Sequence, residues 1–398
     1  MQSRQSAATL SLSGFIALAV AMGIGRFAFT PMLPMMQHDA GLGLSEGGWL
    51  ASANYLGYLL GALMAASVPW PATVQLRAGL ALVIVTTAAM GVTDSWGSWL
   101  AWRFIAGVAS AWVLVSTSSL CLGRLAALGQ SRRAGQVFAG VGSGIALAGL
   151  LCMGLTLAAV SSSHAWLALG LAALLGAWGA RSLWSLPSDP MGAASAAQPS
   201  PASGTSPSAL KNHWKLILCY GLFGFGYILP ATFLPAQAKL LVADPALFGL
   251  AWPLFGLAAA LSTLLTSRLT AVFQRRTVWA VAQVVMAAGV LLPIAWPSLF
   301  AIVIAAVCVG GTFMVATMLG MQQAQAAAGP EQARKLMAAL TASFAAGQLA
   351  GPIVFSISHQ YISAGLGSAL ILGAAGLLLS SYLLLKSGHK KEGIVHEG

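Results

Sequence analysis

The chain contains very little charge. Only 7% of its 398 residues are Asp, Glu, Lys or Arg, whereas a soluble globular protein contains about 25%. Hydrophobic residues make up 58% of the chain, and a single soluble core could not keep that much apolar surface from water. The composition therefore predicts an integral membrane protein that forms one polytopic domain.

Acidic residues and cysteines are also scarce. Eight acidic residues stand against nineteen basic ones, but the basic residues are spread over many short connecting segments, which argues against nucleic-acid binding. The four cysteines, Cys121, Cys152, Cys219 and Cys308, stand singly, with neither a CxxC pair nor ligand spacing. We interpret them as buried apolar residues, and we expect no metal site, cofactor or catalytic residue.

Long apolar segments dominate the rest of the chain. A helix needs about 20 apolar residues to cross a bilayer, and twelve such segments are present. They lie near 11–35, 48–69, 78–94, 98–121, 137–160, 165–186, 214–235, 247–267, 277–295, 299–321, 337–358 and 365–385. The first has no small-residue cleavage site, so we interpret it as a retained helix. The sequence predicts an all-α membrane protein with 12 transmembrane helices.

One connection is unlike the others. Residues 187–213 are rich in Pro, Ser, Ala and Gly, which is typical of a flexible linker. This linker predicts a division into an N-terminal six-helix bundle, 1–186, and a C-terminal six-helix bundle, 214–398.

Basic residues predict the orientation, because Lys and Arg concentrate in cytoplasmic loops. With the N-terminus inside, sixteen of the nineteen basic residues fall on the cytoplasmic side and Lys239 alone falls outside. The remaining two, Arg26 and Arg103, fall within spans. The sequence therefore predicts a multi-pass protein of the cytoplasmic (inner) membrane with both termini in the cytoplasm.

The two halves resemble each other. GIGRFAFTPMLP (23–34) and GFGYILPATFLP (224–235) share a GxG pair and a closing Leu-Pro, at an offset of 201. A basic pair recurs at 132–133 and 334–335, at an offset of 202. Both offsets join helix n to helix n+6, which indicates a duplicated six-helix half.

Several stretches resemble the major facilitator superfamily. WRFIAGVASA (102–111) resembles its RxxxG motif, with Arg103 and Gly107 in the two places. GxGRFAFTPMLP, followed by Leu44-Ser45 and GGWLASANYLGYLLGA (47–62), is similar to the YbfB/YjiJ branch. The GxxxDRxGRR-like loop signature and the proline of the helix 5 antiporter motif are missing. The resemblance implies a transporter, not an enzyme, with two pseudo-symmetric six-helix bundles.

The two intramembrane arginines indicate where a solute binds. An arginine at a helix centre costs about 2.5–3.5 kcal/mol on insertion scales, and it stays protonated. Apart from Asp94 at the very end of 78–94, the predicted spans contain no Asp, Glu or His to neutralise Arg26 or Arg103. We predict that both bind the anionic group of a small organic solute. The structural alternative is contact with carbonyl oxygens at broken helix turns, made possible by Gly23 and Gly25, or a contact within a gate.

Five further residues are predicted to complete the site. They share polar or aromatic character and lie within the predicted spans: Asn54, Tyr58, Tyr227, Trp252 and Gln348. Asn54 and Tyr58 share a helix face, and Tyr227 occupies the position of Arg26 in the repeat. For the polar members, the alternative is helix-to-helix hydrogen bonding; for Trp252, it is ordinary packing.

The sequence thus predicts a monomeric secondary carrier that moves a small organic anion by alternating access. Proton-linked uptake is the coupling that superfamily analogy favours. The alternative function is efflux of amphipathic compounds or drugs, since 14 methionines and the helix 5 glycines suit a pliable apolar pocket. A second hypothesis makes prolines at 31, 34, 230 and 235 part of an outer gate.

Overall fold

The computed structural model describes the backbone of residues 6–186, 212–241, 245–327, 329–362 and 366–392. Side chains are described in the same ranges except at 44, 231–251, 330, 352, 355–366 and 387–392. The predicted linker, 187–213, lies almost wholly outside the described residues. The predicted outer gate also falls partly outside them, because the side chain of Pro235 is not described.

The described residues form twelve long helices, one for each predicted segment. They are α1 (Ala7–Asp39), α2 (Leu44–Ser67), α3 (Ala72–Val92), α4 (Trp96–Ala127), α5 (Ala134–Leu157), α6 (Ser162–Gly179), α7 (Trp214–Leu241), α8 (Pro245–Leu269), α9 (Arg275–Ala295), α10 (Leu299–Ala327), α11 (Pro330–Ile362) and α12 (Leu366–Glu392). No strand occurs within the described ranges, so the predicted all-α class is confirmed.

Seven of the described helices are long and apolar enough to cross a membrane by length and composition: α1, α3, α4, α5, α9, α10 and α12. Large apolar side chains are exposed on the outer faces of the helices. Examples are Leu147, Leu175 and Trp178, each more than half exposed. Such faces suit contact with lipid. The full count of twelve spans stays a prediction.

Helix α1 is irregular at its centre. Its ends, Ala7–Leu18 and Phe29–Asp39, are α-helical, whereas Ala19–Phe27 is a π-helix. A π-helix spaces its backbone hydrogen bonds five residues apart, and it occurs frequently at functional sites. The GxGR segment therefore lies where backbone carbonyl groups can bond to side chains of other helices.

Helix packing follows the same pattern in both sets of six helices. In the first set α1 packs on α5, α2 and α3 on α4, and α3 on α6. In the second set α7 packs on α11, α8 and α9 on α10, and α9 on α12. The main contacts between the sets are α5 on α8 and α2 on α11. Adding six to both helix numbers of a pair in the first set gives the corresponding pair in the second set.

The repeated glycines make equivalent close contacts. A Cβ atom on Gly23 of α1 would lie 2.4 Å from the backbone of Gly144 in α5. A Cβ atom on Gly224 of α7 would lie 2.2 Å from the carbonyl oxygen of Phe344 in α11. Glycine is required at both positions because the paired helix backbones touch there.

The α2–α4 contact gives a stability prediction. A Cβ atom on Gly57 would lie 2.0 Å from the carbonyl oxygen of Phe104, which is rigid backbone. We expect Gly57→Ala to push α2 from α4 and to cost roughly 2 kcal/mol or more of folding free energy, the range of overpacking. The apparent melting temperature of the purified protein measures this loss.

Gly48→Ala is the matched control, because Gly48 is exposed on the same helix with no atom within 4 Å of the added Cβ. We expect its melting temperature to equal or exceed that of the parent, since alanine favours the helix. Equal effects of the two substitutions would show that the α2–α4 contact tolerates a methyl group.

Candidate functional site at the Arg26 guanidinium

Arg26 lies at the end of the π-helix in α1 and is almost fully buried, with 3% of its surface exposed. Its guanidinium carbon lies 3.6 Å from the centre of the Tyr58 ring of α2, a cation–π contact. Its Nη2 atom donates a hydrogen bond to Oε1 of Gln348 in α11. Arg26 thus joins the first set of helices to the second.

Arg103 reaches the same turn from α4 but is differently bound. Its Nη1 donates to the carbonyl oxygen of Gly25 and its Nη2 donates to that of Arg26, both at 3.1 Å. Ser110, two turns along α4, donates to the carbonyl oxygen of Ala21 at 2.9 Å. These bonds give three carbonyl oxygens of the π-helix side-chain partners on α4.

The geometry therefore favours the structural alternative for Arg103. Both of its terminal nitrogens are bonded to α1, and among the described residues only its Nε lacks a partner. Asn54 supports the arrangement, because its Nδ2 donates to the carbonyl oxygen of Arg103 at 2.9 Å. Arg103 positions the turn that carries Arg26.

Arg26 retains unused hydrogen-bonding capacity. Within the described residues its Nε and Nη1 have no partner, and neither has Oδ1 of the fully buried Asn54. No carboxylate described in the structure pairs with Arg26. A buried hydrogen-bond donor without a partner costs about 1–3 kcal/mol of folding free energy, and the cost is higher when the donor belongs to a charged group. The guanidinium consequently has two donor atoms that no described residue satisfies.

Aromatic rings form the wall beyond Arg26. Tyr227 of α7 stacks on Phe313 of α10, with ring centres 5.2 Å apart. Phe313 also stacks on Phe255 at 5.1 Å, and Phe255 stacks on Trp252 of α8 at 5.3 Å. Phe27, the neighbour of Arg26, contacts both Trp252 and Phe313. The aromatic wall therefore continues across the contact between the two sets of helices.

A small cavity of about 20 Å³ lies between Arg26 and the aromatic wall. That volume accommodates about one water molecule, whereas sites for organic ligands measure about 300–1,000 Å³. Its aromatic lining consists of Phe27, Tyr58, Tyr220, Phe313 and Phe344. An organic solute can enter only if the two sets of helices move apart.

The predicted site residues fall into two groups. Arg26, Arg103, Asn54, Tyr58 and Gln348 form one connected network. Tyr227 and Trp252 lie on the aromatic wall and connect to the network through other rings. Whether any of these seven residues binds a solute stays a prediction.

Several aromatic residues around the cavity were not predicted from the sequence, among them Tyr220, Phe313 and Phe344. Tyr220, Phe223 and Tyr227 recur at i, i+3 and i+7, which places them on one face of α7, and this spacing could have identified Tyr220. Ser110 lies seven residues after Arg103 and could have been identified in the same way. Phe344 lies four residues before Gln348 and shares its helix face, so it could have been identified as well, whereas Phe313 has no comparable signal.

Substitution of Gln348 tests whether a bound anion uses the Arg26 guanidinium. We expect Gln348→Glu to form an ion pair with Arg26, which should raise the melting temperature and weaken binding of an external anion about tenfold or more. A carboxylate in that place competes directly for the guanidinium. Radioligand binding and thermal unfolding measure the two effects. Anion binding as tight as in the parent would show that the solute does not use the Arg26 guanidinium.

The fold and this site define a polytopic helical membrane protein with a buried cation between two sets of helices, the architecture of a solute carrier. The family model described as "Uncharacterised MFS-type transporter YbfB" matches residues 18–385. The chain therefore belongs to this family of MFS-type transporters within the major facilitator superfamily. The resemblance inferred from the helix 1 and helix 4 motifs is confirmed.

Two known proteins show the extent of the similarity. The MFS-type transporter YceJ of Bacillus subtilis (strain 168) is 34% identical over 102 residues, which cover 25% of this chain and 26% of YceJ. The match thus spans about a quarter of that relative. The crystal structure of the human organic anion transporter MFSD10 (TETRAN) superposes with a TM-score of 0.74 at 18% identity, covering 96% of this chain and all of that one. This likeness shows the fold.

Proposed function

We propose that the protein is a secondary active transporter that moves a small organic anion across the cytoplasmic membrane by alternating access. The observation that carries the proposal is the Arg26 guanidinium, which is buried, has two nitrogens without described partners, and has no described counterion. A fixed cation in a site of low dielectric attracts an anion strongly.

The position of Arg26 suits alternating access. Arg26 belongs to α1 and Gln348 to α11, so the hydrogen bond between them joins the proposed halves, 1–186 and 214–398. An anion that takes the guanidinium replaces this bond and removes one link between the halves. The cavity beside Arg26 then widens as α1 and α10 separate. The MFSD10 neighbour, titled an organic anion transporter, agrees with this class of solute.

We further propose that all twelve helices span the membrane and that both termini are cytoplasmic. The count of basic residues supports this orientation, because a single missed span would invert every later loop. A fluorescent reporter that folds only in the cytoplasm should therefore be bright when it is fused to the C-terminus. A dark but full-length fusion would contradict the orientation.

Transport by the purified protein in proteoliposomes tests the substrate class. Radiolabelled organic monoanions are compared with their neutral amides and with organic cations of similar size. We expect at least one anion to be taken up above protein-free vesicles, and its neutral amide not to be. Transport of cations and neutral amphiphiles without any anion would overturn the proposal.

Efflux of amphipathic compounds is the second candidate, and the aromatic cavity lining favours it. A resistance panel in an efflux-deficient host distinguishes the two functions. Protection against cationic or neutral drugs that does not depend on Arg26 would support efflux. Proton coupling rests on superfamily analogy alone, and transport that does not change with pH would remove it.

A further inference from the structure

We propose that the transported anion is an aromatic monoanion, with one carboxylate-like group and a flat ring. This inference rests on the proposed function and specifies the substrate class of the same site. It follows from the juxtaposition of a single available guanidinium with a layer of nearly parallel aromatic rings.

The single negative charge of the solute is inferred from the different hydrogen-bond partners of Arg103 and Arg26. Arg103 donates both terminal nitrogens to carbonyl oxygens of α1, so its guanidinium is engaged. Arg26 alone presents Nε and Nη1 without described partners. One available guanidinium matches one anionic group. A second carboxylate would remain charged among aromatic rings, where burial of an unpaired charge is costly.

The ring follows from the geometry of the wall. Phe313 stacks on Tyr227 with an interplanar angle of 22° and on Phe255 with an angle of 21°. Phe255 in turn lies 5° from parallel to Trp252. The rings therefore form a layered array, and a further flat ring packed against it gains more than the burial of equal apolar area.

The movement that opens the site separates Phe27 from this array. Phe27 of α1 contacts Trp252 of α8 and Phe313 of α10, at 6.3 Å and 6.1 Å between ring centres. These contacts bridge the two sets of helices and break when the sets separate. Phe27 and Phe313 then no longer contact each other. A solute ring inserted next to Arg26 can contact both of them and so replace the lost contact.

Calorimetric titration of the purified full-length protein tests the inference with four matched compounds. They are 3-phenylpropanoate, its saturated analogue 3-cyclohexylpropanoate, the neutral 3-phenylpropanamide, and benzylmalonate, which adds a second carboxylate. We expect 3-phenylpropanoate to bind about three- to tenfold more tightly than the saturated acid. The amide and the dianion should bind more weakly than either monoacid.

Phe313→Leu should bring the two monoacids within about twofold of each other, because leucine keeps the apolar contact and removes the ring face. Phe300→Leu is the matched control, since Phe300 lies on the same helix and is 74% exposed; it should keep the parental preference. If Phe313→Leu does not fold, Phe344→Leu serves in its place.

The outcomes separate this inference from the proposed function. Equal or tighter binding of 3-cyclohexylpropanoate would overturn the aromatic inference and leave an anion carrier. Failure of both monoacids, with Arg26-dependent transport of an aliphatic anion in proteoliposomes, would do the same. Failure of every anion to depend on Arg26 would overturn both.

Discussion

Replacing Arg26 with glutamine should abolish anion transport without lowering the stability of the protein. The glutamine side chain is two atoms shorter than arginine, so the link to Oε1 of Gln348 is weakened, but the buried charge is removed with it. The positive charge is lost, and removal of one member of a buried charge pair costs about 2–5 kcal/mol of binding free energy. We therefore expect a loss of affinity of about 30-fold or more.

Stability should stay level or rise in this variant. A buried cation without a counterion is unfavourable in a membrane helix, and Arg26 has unsatisfied donors besides its charge. Thermal unfolding of Arg26→Gln should accordingly give a melting temperature at or above that of the parent. Parental stability together with loss of transport would indicate that Arg26 serves binding and not folding.

Two variants control this experiment. Arg26→Lys keeps the charge but loses the planar donor set, so we expect weaker binding with some transport left. Arg77→Gln removes the same charge from an exposed position on α3 and should transport as the parent does. Parental transport by Arg26→Gln would end the proposal of an Arg26 anion site.

Arg103→Lys should have the opposite signature, with a clear loss of stability. A lysine ammonium cannot span the carbonyl oxygens of Gly25 and Arg26 as the guanidinium fork does. Hydrogen bonds from charged donors contribute about 1.5–3 kcal/mol each, so we expect a loss of roughly 2 kcal/mol or more. Thermal unfolding measures this loss, with exposed Arg77→Lys as the neutral control.

Transport per folded molecule should also fall in Arg103→Lys, because the turn that carries Arg26 loses its support. This result separates the two roles considered for Arg103. Lost transport together with lost stability agrees with a positioning residue. Lost transport at parental melting temperature would instead restore the direct anion contact that the sequence predicts.

The helices could be predicted because their signals are local. The length and hydropathy of each apolar segment indicate by themselves whether it can cross the bilayer. The observed helices match all twelve segments. Their ends differ: α4 continues to Ala127 and α11 begins at Pro330, beyond the predicted limits. Those extensions are less apolar, so a hydropathy criterion ends the helix at the membrane surface although the backbone continues.

The site could be predicted only in part. An arginine in an apolar segment is conspicuous in any sequence, and the network around Arg26 and Gln348 includes five predicted residues. Tyr227 and Trp252 of the aromatic wall were predicted, whereas Phe313 and the cavity-lining Phe344 were not, because phenylalanine is an ordinary residue in an apolar transmembrane segment. Their role depends on which helices face one another, and no local pattern specifies that.

The sequence by itself determined that this chain is a helical membrane protein with two uncompensated intramembrane cations, because hydropathy and charge are properties of single segments. Only the tertiary structure decided how the two cations differ. The partners of Arg103 are carbonyl oxygens of a π-helix in another part of the chain, and a change of backbone hydrogen-bond spacing has no signature in composition. Arg103 is bound to that π-helix through both terminal nitrogens, whereas Nε and Nη1 of Arg26 have no described partner.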